Sequence, residues 1–185
     1  MKRTLLTILP ALALASALNA CGGGGGDDNP GSSGYWQMDS HRYVSGGNSA
    51  STFNPATGVT AAAVSTATAS GGNGSDGAFS GSALTLAFKG APTDGVYSVV
   101  PNLSAVIASG DASPSIQVGV TIGIDTTTGY SRYDASSGKI RVTKDSRGTY
   151  HFASVNPIPT TKTLDVLQGV PGAPGAMTLT IVDAY

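Results

Sequence analysis

Residues 116–124 read Ile-Gln-Val-Gly-Val-Thr-Ile-Gly-Ile. A β-branched residue falls at every second position, with Gln, Gly and Thr between. On a helix these five side chains would scatter around the cylinder; on a strand they form one stripe. The segment therefore predicts a half-buried strand with Ile116, Val118, Val120, Ile122 and Ile124 inward. The two glycines on the opposite face leave room for another backbone or layer to approach.

The same alternation recurs along the chain. Lys139–Lys144 alternates as cleanly, Asp145-Ser146-Arg147-Gly148 is a turn signal, and Thr149–Ala153 follows. This predicts a hairpin with Ile140, Val142, Tyr150 and Phe152 inward and His151 outward. Weaker strands are expected over Trp36–Val44, Val59–Ser70, Ala83–Phe88, Gly95–Val100, Ser104–Ser109 and Tyr130–Tyr133. Thr160–Leu167 and Met177–Val182 close the series, with Pro157, Pro159 and the stretch Gln168–Gly175 breaking the path between elements. Nine to eleven short strands separated by turns predict an all-β fold, an antiparallel β-sandwich, with a small β-barrel as the alternative.

Composition agrees. Every one of the 11 acidic residues is Asp, and Gly, Ser and Thr abound. Without Glu, surface helices are disfavoured. The chain holds one cysteine, Cys21, so no intrachain disulfide staples the core.

That cysteine ends a distinct N-terminal pattern. Lys2 and Arg3 precede an apolar run from Leu5 to Leu18, broken by Thr7, Pro10 and Ser16. A secretory signal has this layout of cationic start, apolar core of about 7–15 residues and small residues at the cut. The run is shorter than the roughly 20 apolar residues a membrane-spanning helix needs.

Leu18-Asn19-Ala20-Cys21 resembles the lipobox of bacterial lipoproteins. Leu18, Ala20 and Cys21 match that pattern, whereas Asn19 stands where a small uncharged residue is usual. The resemblance covers residues 1–21 and implies cleavage before Cys21, with a diacylglyceryl thioether on its sulfur and usually a third acyl chain on its amine. Two or more chains anchor stably where one holds only marginally. A solitary exported cysteine left free would be a reactive liability. Gly22 follows, where Asp tends to retain Gram-negative lipoproteins in the inner membrane, so the resemblance implies the outer membrane, with the domain periplasmic or surface-facing.

Residues 1–20 are thus expected to be a signal peptide, 21–34 a lipidated cysteine and Gly-rich tether, and 35–185 a single β-domain. Residues 22–34, GGGGGDDNPGSSG, contain nothing to bury and predict a flexible coil spanning on the order of 20 Å. Neither a strand before nor Gly-Lys-Ser/Thr after makes the glycines a phosphate loop. The domain's 151 residues suffice for one core. Removing Lys2 and Arg3 leaves eight basic residues against 11 acidic, a formal charge of −3. That gives no basic footprint for nucleic acid and no cationic face for anionic lipid. The expected partner is the membrane, through acyl chains on Cys21; any protein or glycan partner is unspecified.

Few residues suggest chemistry. Asp39-Ser40-His41 contains the three residue types of a hydrolase triad. Adjacent residues on one strand face opposite ways, so Ser40 does not meet His41 in nucleophile–base geometry. His151 is the other histidine, and no Gly-x-Ser-x-Gly elbow occurs. Two histidines and one consumed cysteine provide no zinc set of usual spacing. Gly71-Gly72-Asn73-Gly74-Ser75-Asp76-Gly77-Ala78-Phe79 matches the frame of a calcium-binding nonapeptide repeat. Such ions sit between consecutive turns, and one copy supplies half a site; a loop between strands is the simpler reading. Asp94, Asp111 and Asp125 beside small residues read as turn formers. Nothing selects a pair of aspartates for glycosidase chemistry. Tyr35, Trp36 and Tyr43, with Tyr130 and Tyr133 around Arg132, are candidates for a sugar platform, though such rings more often pack in cores.

Ser137-Gly138-Lys139-Ile140-Arg141-Val142-Thr143 and Gly148-Thr149-Tyr150-His151-Phe152 resemble a hairpin found in uncharacterised exported bacterial lipoproteins. The resemblance covers under a tenth of the chain and implies a β-domain, with no catalytic residues attached. No cofactor is expected. The chain reads as a non-enzymatic binding or accessory lipoprotein of the cell envelope. The alternatives are an envelope hydrolase or carbohydrate-active enzyme with dispersed residues, and an assembly subunit using an exposed edge strand.

Overall fold

The computed structural model describes residues 34–56, 58–66, 77–124 and 129–185. Cys21, the tether, the Gly71–Asp76 part of the calcium-like motif and Asp125 lie outside the described residues.

The fold is all-β and sandwich-like. Eleven strands make it: β1 (Tyr35–Met38), β2 (His41–Asn54), β3 (Val59–Thr66), β4 (Ser82–Lys89), β5 (Gly95–Val99), β6 (Ser115–Ile122), β7 (Gly129–Ala135), β8 (Lys139–Lys144), β9 (Tyr150–Ser154), β10 (Ile158–Leu167) and β11 (Ala176–Val182). One helix, α1 (Leu103–Ser109), and a 3₁₀ turn at Gly77–Phe79 complete the described elements. The hydrogen-bonded order is β4-β3-β2-β1-β11-β10-β7-β6-β5-β8-β9, and β4 pairs again with β6. The sheet therefore folds back over its own core.

Two strands fork. One edge of β6 pairs with β4 throughout. Its other edge pairs in parallel with β5 at Ser115–Ile116 and antiparallel with β7 at Gly119–Ile122. β11 behaves alike: β1 lies on one edge, β10 on the first half of the other. Beyond that half, Phe152 of β9 bridges to Ala184, and Ser154 Oγ binds the Ile181 backbone. A simple barrel gives each strand two neighbours; β6 has three. Strands β5, β8 and β9 thus form a separate leaf joining β6 to β11.

The alternating pattern finds its core. Ile116, Val118, Val120 and Ile122 are wholly buried, together with Leu84, Leu86 and Phe88 from the neighbouring β4. Ile140, Val142 and Phe152 are buried from the β8–β9 hairpin, whose Tyr150 is half-buried and donates its hydroxyl to Pro92 O. The Asp145–Gly148 turn forms as expected, with Asp145 N bonded to Thr149 O. Gly119 faces away from the core, where the Arg132 guanidinium lies so close that a Cβ would meet it at 2.4 Å.

Three expectations need correction. Trp36–Val44 is a hairpin rather than one strand, because Asp39 adopts a φ of 50° and turns the chain. Ile124 is 40 % exposed, because Gly123 at φ 80° ends β6 before it. Ser104–Ser109 is helical. Asn102 caps α1 by accepting from Ala105 N, and Gly110, left-handed at φ 74°, returns its N–H to Ile107 O. These caps satisfy terminal groups that a seven-residue helix otherwise leaves bare.

Candidate functional site

The β8–β9 hairpin and the residues after β11 bring together the densest acid–base group among the described residues. β9 pairs with β8 so that His151 stands opposite Thr143. The Phe152–Ala184 bridge then sets the chain after β11 beside it. His151 Nδ1 lies 2.9 Å from Asp183 Oδ1, and Nε2 lies 3.7 Å from Asp145 Oδ2. The Tyr185 ring tilts against the imidazole at 5.0 Å. Asp183 is held at φ 48°, a conformation that Asp tolerates better than most residues.

Asp145 has further duties. It accepts the N–H groups of Thr149 and Arg147 at 2.8 and 2.9 Å. The Thr149 bond above all, with smaller help from Arg147 and His151, holds its carboxyl below the usual carboxylate range. Both imidazole nitrogens of His151 therefore face carboxylates that the fold supplies. The group can hold two chain segments together; a hydrolase base would need one nitrogen aimed at a nucleophile. His151 is partly exposed at the surface, in keeping with its expected outward direction.

The other histidine is elsewhere. His41 pairs with Met38 at one end of β1 and stacks on Phe79 at 4.0 Å. Asp183 follows Val182, which pairs with Tyr35 at the other end. The two imidazoles are thus separated by on the order of 10 Å of strand. The neighbouring Asp39 binds Thr178 through its N–H and its Oδ1. The local order Asp39-Ser40-His41 therefore builds a turn, and the reason is the turn itself rather than alternation along one strand.

A second polar group lies under the 168–175 loop. The β7–β10 register sets Ser131 opposite Asp165. Ser131, fully buried, donates to Asp165 Oδ1 at 2.5 Å and accepts from Val170 N at 2.9 Å. Lys162 Nζ lies 3.3 Å from Asp165 Oδ2 and donates to Ala173 O. Tyr133 donates its hydroxyl to Pro174 O at 2.6 Å. The Ser131 bond, then Lys162, keeps Asp165 below its ordinary value. Burial, with Asp165 and Asp39 nearby, pushes Tyr133 up to about 12. Each polar atom here pins the loop that seats buried Val170 over the core.

The aromatic candidates separate. Trp36, Tyr43 and Tyr133 are core residues and offer no face to a sugar. Trp36 Nε1 donates to Ser82 Oγ, and Tyr43 donates to Phe79 O. Tyr35 and Tyr130 remain half-buried, and the Arg42 guanidinium covers Tyr35 at 3.7 Å. Asp111 is a turn former, accepting from Ser113 N. Among the described residues, no group of three His, Cys, Asp or Glu side chains could hold a metal ion, and no helix is long and apolar enough to cross a membrane.

Neither the Ser131–Asp165 pair nor the His151 cluster was named from sequence. Their members are far apart in the chain and meet through strand register. No family model, curated protein or solved structure matches the chain.

Proposed function

We propose that this is a lipid-anchored lipoprotein of the bacterial cell envelope, with the β-domain serving as a binding or accessory module rather than an enzyme. The observation that carries the reading is Leu18-Asn19-Ala20-Cys21 after the Lys2-Arg3 start and apolar run. The polar groups support the non-enzymatic part. Ser131, Asp165, Lys162 and Tyr133 are spent on the 168–175 loop, and His151 on Asp145 and Asp183. Gly22 favours the outer membrane.

The test is acylation in a bacterial host. Metabolic labelling with a fatty acid should mark the wild-type protein and place it in the membrane fraction. Cys21→Ala should lose the label and release the domain into the soluble fraction. A wild-type protein that takes up no label would refute the anchor.

A further inference from the structure

The outer face of the β7–β10 pair carries an apolar patch that the proposed function leaves unused. Ser131 and Asp165 point inward together, so the residues beside them in register point outward. These are Tyr130 with Val166 and Arg132 with Leu164. Leu164 is 47 % exposed, while Tyr130 and Val166 are half-buried. Leu167 continues the patch at the rim and is 80 % exposed.

Leu167 is anomalous twice over. Val166 to Gly169 forms a tight turn, closed by Gly169 N on Val166 O at 3.0 Å. Leu167 is its second residue, at φ 59°. Turns that need positive φ there select Gly, Asn or Asp. A leucine in this place strains the backbone and exposes its whole side chain to water. Neither property serves the isolated domain, whereas both are explained by a side chain held out as an anchor.

We propose that this face binds a second copy of the chain about a two-fold axis, with Leu164 and Leu167 of each copy packed on the other. The electrostatics favour a self-pairing face. The cation within the patch, Arg132, is already neutralised by Asp134 at 2.9 Å, and Asp134 also accepts from Thr163 Oγ1. An identical patch therefore meets no uncompensated like charge, whereas a strongly charged partner or an anionic lipid surface would find no counter-charge. An isologous contact needs only that one patch complement itself. The proposal stands whether or not Cys21 is acylated.

The test is sedimentation velocity of the full chain in density-matched detergent under reducing conditions, over a wide concentration range. A reversible monomer–dimer equilibrium is expected. Leu164→Asp and Leu167→Asp should each weaken it by about tenfold or more, as loss of an interface anchor does. Leu167→Gly, which removes the side chain and relieves the turn, should weaken the dimer while raising the thermal midpoint, separating lost contact from lost fold. A wild-type protein that stays monomeric overturns the proposal. So does a dimer that these variants weaken less than that, or a monomer that uses Leu167 to bind zwitterionic vesicles.

Discussion

Ser131 Oγ donates to Asp165 Oδ1 at 2.5 Å while accepting the Val170 N–H at 2.9 Å, so one buried hydroxyl ties β7, β10 and the following loop together. Ser131→Ala removes both partners at once. The Val170 N–H is left unmet beside the core, and Asp165 loses the bond that chiefly keeps it ionised. An orphaned buried polar group costs about 1–3 kcal/mol. Urea unfolding should show that loss in the midpoint with little change of slope. Asp165→Asn retains an acceptor for Ser131 and should cost less.

Tyr133 gives the domain an alkaline limit. Burial first, then Asp165 and Asp39, raises its hydroxyl from 10.0 to about 12. The folded state therefore keeps this proton at a pH where the unfolded chain has released it. The stability from this residue is complete below about pH 10 and is lost as pH climbs toward 12, because the unfolded state gains by ionising. Thermal midpoints across that interval should fall for the wild type and fall less for Tyr133→Phe. The variant forfeits the bond to Pro174 O and should start lower at neutral pH.

The capping of α1 is a separate test. Asn102 accepts from Ala105 N at 3.0 Å, and Gly110 closes the helix at φ 74°. Asn102→Ala should cost about 1 kcal/mol. Gly110→Ala, which has open space around its new Cβ, should still cost about 1 kcal/mol through the left-handed backbone alone. Chemical denaturation of both variants checks the figures. Loss of Gly110→Ala stability with α1 intact by amide exchange would confirm that the cost is conformational.

How legible these features were in the sequence depends on range. The β8–β9 hairpin needed only neighbours: alternation sets the buried face of Ile140, Val142 and Phe152, and Asp145–Gly148 sets the turn. Strand β6 was readable for the same reason, up to Gly123. The helix was misread because Leu-Ser-Ala-Val-Ile-Ala-Ser is too short to show a 3.6-residue period. Its usable signal was the capping pair Asn102 and Gly110. The β1–β2 hairpin was missed because Asp39 takes a positive φ without a glycine beside it. The Ser131–Asp165 and His151–Asp183 contacts were beyond reach. The first depends on a register that slips between Lys162 and Leu164, the second on an isolated bridge at Ala184. Both are set by packing of the whole sheet.

Trp36 is the chain's sole tryptophan and a direct optical probe of this packing. It is wholly buried, stacks against Tyr43 at 6.0 Å, and donates its indole N–H to Ser82 Oγ at 2.9 Å. Ser82 in turn donates to Thr121 O at 2.8 Å, so a chain of two bonds joins β1 to β4 and β6. Native fluorescence should be blue-shifted and resist quenching by iodide, then become red and accessible in one step on unfolding. Ser82→Ala strands the indole N–H and should cost about 1–3 kcal/mol, while leaving the emission of the folded state shielded. Trp36→Phe keeps much of the packing and needs no acceptor, so combining it with Ser82→Ala should cost less than the two separate losses together. If the double variant were as unstable as the sum, the bond from Trp36 to Ser82 would carry no coupling energy and the indole would be held by packing alone.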